Sequence, residues 1–299
     1  MGRKLKALVI EISYIDDGAR QQLYADYDAR LFYANLKQQG FKDVVIMMDR
    51  HPNKVFSDEE RDKVVLHTEF PNVSAYPTFR NIKNAMRWLV TKPKDGWRGG
   101  DELFIYYAGH GDQVEDRDGD EKDGRDECIV DADNRKISDD TMYNLMIREL
   151  PKEVHMTALF DCCNSGSILD LPYVANAGKG KWMKGVKKEK KWSGADVVLI
   201  SGCKDAQISR GGLVADRFES GRKVGFYPEV PGVATKAFLV TLQKTPMISY
   251  LDLLKEMRAD VAKDPIEKDD KDPRQTVQMS STTTFNLEER MFYWKNQGK

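Results

Sequence analysis

Five short runs of apolar residues constrain the fold of this 299-residue chain most strongly. Each run is continuous rather than alternating, which is typical of strands buried on both faces of a parallel sheet. Helical patterns lie between the runs, so the order of elements predicts an α/β fold with right-handed crossovers. The predicted strands are Ala7–Ile12, Val44–Met48, Leu103–Tyr107, Thr157–Phe160 and Val197–Ser201.

Three further segments carry signals for helices. Apolar residues recur at helical spacing over residues 79–89. Ser138 is a good N-cap for a helix that continues to Leu150, and Ser249 with Asp252 forms a start that resembles a capping box. We therefore predict a central, mostly parallel sheet with helices on both faces.

Two polar segments predict loops and suggest how the chain is divided. Residues 112–126 are packed with Asp, Glu and Gly, and residues 176–191 are rich in Lys and Gly. The predicted organisation is a large part over 1–175, a basic flexible loop over 176–195, and a smaller part over 196–299 that completes the same domain.

Composition excludes several classes of protein. Hydrophobic residues make up 40% of the chain and charged residues 32%, which argues against disorder throughout. The net charge of −1 gives no reason to expect a nucleic-acid or membrane partner. The four cysteines match neither a disulfide framework nor a zinc-ligand pattern. We expect a monomer in a reducing compartment, the cytoplasm or the nucleus.

A histidine and a cysteine follow two consecutive predicted strands. LFIYYAGHGDQ places His110 just past one strand, and TALFDCCNSGS places Cys163 just past the next. Sites gather at the carboxyl ends of parallel strands, so a thiolate nucleophile and an imidazole acid–base are expected to meet there. The backbone N–H groups of Gly111 and Cys163 are candidates for an oxyanion hole. Cys162 is expected to be buried, because adjacent strand residues face opposite ways. His110 could alternatively be a turn histidine, and the histidines without this context are expected to be incidental: His51, His67 and His155.

The segments around these two residues resemble a known family. YYAGHGDQ, DGDEKDGRDECIV, ISDDTMYN, TALFDCCNSGSILDLPY, ADVVLISGCKDAQIS and SYLDLLKEMR are similar to metacaspases, particularly type I of fungi and protists. The resemblance implies a caspase-like three-layer sandwich with His110 and Cys163 as the catalytic pair. It also implies an endopeptidase acting on protein or peptide substrates with Arg or Lys at P1. The alternative is a catalytically weak or inactive scaffold or regulator with the same fold.

The resemblance also implies a pocket for the P1 side chain. Its acidic residues match Asp28 and Asp161 in this chain. A pair of carboxylates suits a bidentate guanidinium. The alternatives are a solvated helix position for Asp28 and a carboxylate that caps nearby amides for Asp161.

The resemblance further implies that calcium activates the protein. The family's ligands match Asp126, Asp139, Asp140 and Asp170. Asp139 and Asp140 could instead supply favourable charge at a helix N-terminus. The loop DRDGDEKDGRDE is not an EF-hand, because Glu121 stands where an EF-hand requires Gly.

A peptidase with this preference would find cleavage sites in its own basic loop. We expect calcium-dependent self-cleavage within Lys179–Lys191, giving two fragments that stay associated. The alternative is a surface loop that is never cut. The chain also departs from the family pattern at Ala25, Ala108, Cys162, Asn164, Arg210 and Gly211.

Overall fold

The architecture comes from a computed structural model, which describes residues 3–14, 26–49, 76–121, 123–185, 190–203, 218–219, 222–223, 232–263 and 275–293. The strands are β1 Leu5–Glu11, β2 Asp43–Met48, β3 Asp101–Ala108, β4 Gly111–Glu115, β5 Arg125–Val130, β6 Lys136–Ser138, β7 Val154–Asp161, β8 Tyr173–Asn176, β9 Lys181–Lys184, β10 Asp196–Ser201, β11 Phe218–Glu219, β12 Arg222–Lys223, β13 Met247–Ser249, β14 Gln278–Ser281 and β15 Met291–Tyr293. The helices are α1 Asp26–Gln39, α2 Phe79–Val90, α3 Asp139–Met142, α4 Val233–Lys244 and α5 Tyr250–Lys263.

An eight-stranded sheet lies at the centre, in the order β2-β1-β3-β7-β10-β14-β8-β9. The pairs from β2 to β10 are parallel, and the pairs that join β14, β8 and β9 are antiparallel. The predicted mostly parallel sheet is therefore confirmed. Each of the five apolar runs lies in one of its parallel strands, except that Ile12 falls one residue past the end of β1. Strands from before residue 176 and after residue 196 share this one sheet.

Helices cover both faces of the sheet, which confirms the three-layer α/β sandwich. On one face, α1, α4 and α5 pack around Phe104, Tyr106 and Ala108 of β3. On the other face, α2 and α3 pack around Leu103, Ile105 and Tyr107 of the same strand. Successive side chains of a strand point to opposite faces, so a continuous apolar run is what a strand with two covered faces requires.

The predicted helix starts are confirmed, but one helix differs in form. Ser249 Oγ accepts a hydrogen bond from Asp252 N–H at 3.0 Å and donates to its carboxylate at 2.8 Å, at the start of α5. Ser138 caps α3 through Thr141 N–H. The α-helix expected to reach residue 150 ends at Met142 and continues as a π-helical turn over Tyr143–Ile147. The apolar spacing does not distinguish these two forms.

Two segments predicted as loops contain strands. Gly111–Glu115 and Arg125–Val130 form β4 and β5 at the two ends of the acidic segment, and β9 lies inside the basic segment. The residues of β4 and β9 are half-buried or exposed, so these strands have no apolar run that the sequence could show. No helix in the described part of the chain is both long and apolar enough to span a bilayer.

Candidate active site

The loops that carry His110 and Cys163 lie side by side at the carboxyl edge of the sheet. The last residues of β3 and β7, Ala108 and Asp161, pair directly in the parallel register. His110 and Cys163 each follow their strand by two residues. The sheet therefore brings His110 and Cys163 to the same edge, as expected from the sequence.

Close packing joins the two loops. A Cβ atom built on Gly111 would lie 1.8 Å from the Cys163 carbonyl oxygen, so only glycine fits there. Val130 N–H donates to the His110 carbonyl at 3.1 Å, which makes Gly111 and Ile129 a non-hydrogen-bonded pair. This ladder consequently leaves the Gly111 N–H directed away from β5.

Two buried tyrosines support the His110 backbone. Tyr14 Oη accepts from His110 N–H at 2.9 Å and donates to the Val130 carbonyl at 2.8 Å. The rings of Tyr14 and His110 lie with centroids 4.4 Å apart, inclined by 36°. Tyr107 Oη lies 2.8 Å from the His110 carbonyl, and burial raises the pKa of Tyr107 well above its usual value. The Tyr107 hydroxyl is therefore neutral at physiological pH, and both hydroxyls act as fixed hydrogen-bonding groups.

The two adjacent cysteines differ in environment, as their alternation along the chain predicts. Cys162 is buried in the core, and burial raises its thiol pKa well above the usual value. Cys163 is half-buried at the edge of the sheet. Asn164 follows with φ of 50°, a left-handed conformation that Asn adopts more readily than most residues.

The remaining cysteines of the chain are also buried. Burial raises the thiol pKa of Cys128 and of Cys203 to about 12. Cys203 Sγ donates to the Cys162 carbonyl at 3.2 Å, next to Cys163 in the chain. Cys163 is therefore the most accessible thiol of this chain and the one best placed to react.

Asp161 caps a helix. Its Oδ2 accepts from Thr235 N–H at 2.8 Å and from Thr235 Oγ1–H at 2.7 Å, in the first turn of α4. A Cβ atom on Gly232 would lie 2.3 Å from the same oxygen. The capping interaction considered from the sequence is thus present. Asp28 lies in the first turn of α1, and its side chain is outside the described residues.

A further carboxylate lies in the same lateral row as Asp161. Register pairs Glu11 with Ala108 and Ala108 with Asp161, so all three side chains point to one face. Glu11 is 1% exposed, and its Oε2 accepts from Ala29 N–H in α1 at 3.0 Å. Glu11 was not identified from the sequence, in which its only signal is a charged residue at the end of a buried apolar strand.

The acidic residues matched to calcium ligands fall into separate groups. Carboxylate oxygens of Asp120, Asp140 and Asp170 lie within 4.8 Å of one another. Asp139 belongs to another group with Glu121 and Glu127. The structure therefore brings Asp140 and Asp170 together as expected, adds Asp120 to them, and places Asp139 elsewhere.

The two other matched aspartates are buried. Asp139 Oδ2 accepts from Glu127 N–H at 3.1 Å, and its Oδ1 accepts from Asp140 N–H at 2.8 Å. Asp126 is 4% exposed. Burial, followed by the negative charge of Asp140, raises the pKa of Asp126 to about 6.

The other histidines do not share this edge in the described structure. His155 lies near the start of β7, at the opposite edge, with Nδ1 3.3 Å from Asp196 Oδ2. Several positions singled out from the sequence lie outside the described residues: His51, His67, Ala25, Arg210 and Gly211.

The parallel α/β sandwich, with a thiol and an imidazole at its carboxyl edge, belongs to the class of caspase-like folds. Caspase-1 of Spodoptera frugiperda has a similar fold, with a TM-score of 0.51 and 10% identity over 99% of this chain and 92% of the caspase. A protein of Geobacter sulfurreducens superposes with a TM-score of 0.57 and 21% identity over 96% of this chain and 97% of that one.

Sequence comparison identifies the family within this class. The family model described as metacaspase, peptidase C14 domain, matches residues 5–172. The chain is 35% identical to metacaspase-1 of Coccidioides immitis and 34% identical to metacaspase-1 of Ajellomyces capsulatus, over 87% of its length in both cases. It spans 59% of the first relative and 76% of the second. The chain belongs to the metacaspase family.

Proposed function

We propose that this protein is a cysteine endopeptidase that cleaves after Arg or Lys, with Cys163 as nucleophile and His110 as general acid and base. The contact between the two loops, made at Gly111 and the Cys163 carbonyl, is the observation that carries the proposal. The other three cysteines are buried, and two glycines beside His110 let the backbone approach a substrate.

The chemistry is an acyl transfer in two steps. The Cys163 thiol gives its proton to His110, and the thiolate attacks the scissile carbonyl carbon. Negative charge on the carbonyl oxygen is stabilised by the N–H groups of Gly111 and Cys163. His110 then protonates the leaving amine, and an acyl-enzyme remains. A water molecule deprotonated by His110 attacks this thioester, which releases the acid product and restores the thiol.

The preference for a basic P1 residue rests on the carboxylates at this edge. Glu11 and Asp161 flank the small residue Ala108 in one row, with neighbouring strands about 4.8 Å apart. Negative charge on both sides of a small side chain favours a cation between them. Arg should be preferred to Lys, because its planar fork can bond a carboxylate through two N–H groups.

Calcium is proposed as the activator. Asp120, Asp140 and Asp170 supply clustered carboxylate oxygens, which are the ligands that a hard cation prefers. The buried Asp126 Oδ1 has no hydrogen-bond partner among the described residues. A bound cation would satisfy this oxygen. Bound calcium would supply positive charge that neutralises these carboxylates. The four free thiols fit a reducing compartment such as the cytoplasm.

Self-cleavage in the basic segment remains part of the proposal. The antiparallel pairing of β8 with β9 restricts where the cut can fall. Lys181–Lys184 pairs with β8 in a continuous ladder, which a peptidase would have to open. The Lys-rich stretch that follows, over residues 185–191, is therefore the favoured position for a cut.

A panel of fluorogenic peptides tests the proposed activity. Substrates that differ only in P1, with Arg, Lys or Asp, are assayed with calcium and with chelator. We expect Arg to exceed Lys, no hydrolysis after Asp, and higher rates with calcium. The Cys163→Ala protein is the control for a contaminating peptidase. Faster hydrolysis after Asp than after Arg would overturn the proposed specificity.

A further inference from the structure

One lysine side chain lies inside the acidic cluster. Lys190 Nζ donates hydrogen bonds to the carboxylates of Asp140 and Asp170, the second at 2.8 Å, and forms an ion pair with Asp120 Oδ2 at 2.9 Å. A fourth carboxylate, that of Asp118, lies 3.9 Å away. The Lys190 side chain is only 16% exposed, although most lysines remain in solvent.

The ammonium group matches this cluster in shape but not in charge. It has three N–H donors, which is the number of carboxylates within hydrogen-bonding distance. One positive charge faces at least three negative ones, so the cluster keeps a net negative charge with Lys190 in place. A divalent cation would neutralise more of that charge and could bind oxygens from all of these carboxylates.

Asp126 provides a second, independent sign that a cation belongs here. Its carboxylate is 4% exposed, and its Oδ1 has no hydrogen-bond partner in the part of the chain that is described. The charges that act on it most strongly are negative, those of Asp140, Asp116 and Asp120. Lys190 therefore does not satisfy every carboxylate that faces this region.

We propose that the Lys190 ammonium occupies the calcium site formed by Asp120, Asp140 and Asp170, so that calcium and Lys190 exclude each other. Calcium binding then expels Lys190 and frees the chain beside it. The inference rests on the calcium dependence in the proposed function. It names Lys190 as the competitor and adds Asp120 as a ligand.

The exchange links the cation site to two parts of the peptidase. Asp170 lies in the segment that follows the nucleophile, and its N–H donates to the Ser167 carbonyl at 2.8 Å. Lys190 lies at the end of the basic segment in which self-cleavage is proposed. Once expelled, Lys190 becomes a P1 residue within reach of a peptidase. The exchange therefore keeps the bond after Lys190 protected until calcium arrives.

Lysine labelling tests the exchange without using enzyme activity. The Cys163→Ala protein is acetylated briefly with an N-hydroxysuccinimide ester, in chelator and in saturating calcium, and each lysine is quantified by mass spectrometry. We expect labelling of Lys190 to rise about tenfold with calcium, since a hidden amine becomes exposed. Labelling of the exposed neighbour Lys191 should change less than about twofold, as expected for a residue outside the exchange. Equal labelling of Lys190 in both conditions would overturn the proposal.

Calorimetric titration with calcium chloride gives the second test. In the Cys163→Ala background, Lys190→Met should lower the Kd for calcium about tenfold, because the site no longer has to release its own cation. Lys190→Gln should act in the same direction, and Lys191→Met is the matched control. An unchanged Kd with normal binding would reject the competition and leave calcium activation standing. If calcium binds neither protein, the cation site is rejected, and the peptide panel decides the peptidase separately.

Discussion

The α-carbon of Gly111 lies against the Cys163 carbonyl so closely that a Cβ atom there would be 1.8 Å from the oxygen. The clash would be with backbone, which cannot rotate away as a flexible side chain could. The loops that carry His110 and Cys163 thus pack against each other at a position where no side chain is tolerated.

Gly111→Ala should therefore lower kcat/KM at least about 100-fold, because the added methyl group displaces the Cys163 backbone from its place in the proposed oxyanion hole. Gly99→Ala is the matched control, since a Cβ atom there meets nothing within 4 Å. Both are compared on an Arg-P1 peptide, with melting temperature measured to confirm folding. Wild-type kinetics in Gly111→Ala would contradict this account.

Tyr14→Phe tests how the His110 backbone is held. The change keeps the ring beside His110 but removes the hydroxyl that accepts from His110 N–H and donates to Val130. Val130 keeps its hydrogen bond from Tyr107, but the His110 N–H loses its acceptor. That loss costs about 1–3 kcal/mol, so we expect kcat to fall about tenfold with little change in KM. Tyr173→Phe, in the half-buried strand β8, should have no such effect. A change confined to thermal stability would show that Tyr14 is structural only.

Asp126→Asn gives a pH-dependent prediction. Burial and neighbouring charges raise the pKa of Asp126 to about 6 in the folded state, above the value of about 3.9 expected when unfolded. The folded state therefore loses stability as pH rises from about 4 to 6 in the absence of a cation, because ionisation is costlier in the fold.

In chelator at pH 7, Asp126→Asn should consequently melt at least about 3 °C above its parent, and at pH 4 the two should melt together. The comparison uses Cys163→Ala as the parent, so that self-cleavage does not interfere. Asp133→Asn, at an exposed position, is the control. A gain of equal size at both pH values would show that charge is not its cause.

The sheet was predictable because its strands are buried on both faces and their residues show this locally. Val44–Met48 and Leu103–Tyr107 are apolar throughout, and each became part of a parallel strand. The capping pair Ser249 and Asp252 is likewise local, with donor and acceptor three residues apart. Strand β9 was missed because three of its four residues are exposed and its two apolar residues are too few to form an apolar run.

The features of the site that could not be predicted from the sequence are contacts between segments far apart in the chain. Tyr14 meets His110 from 96 residues away, and Lys190 meets Asp140 from 50 residues away. Neither tyrosine nor lysine carries a motif, so such pairs become visible only when the chain is folded. His110 and Cys163 could be proposed from the sequence because each follows an apolar strand within a short segment that contains glycine or a second cysteine.

The central claim is that Cys163, and not its buried neighbour Cys162, is the nucleophile. Alkylation of the wild-type protein with an arginyl chloromethyl ketone, followed by peptide mapping in a mass spectrometer, tests this most directly. The reagent places an Arg side chain in the P1 position and reacts with the thiolate that attacks. The account predicts one label, on Cys163, and none in Cys163→Ala; a label on Cys162 with Cys163 unmodified would contradict it.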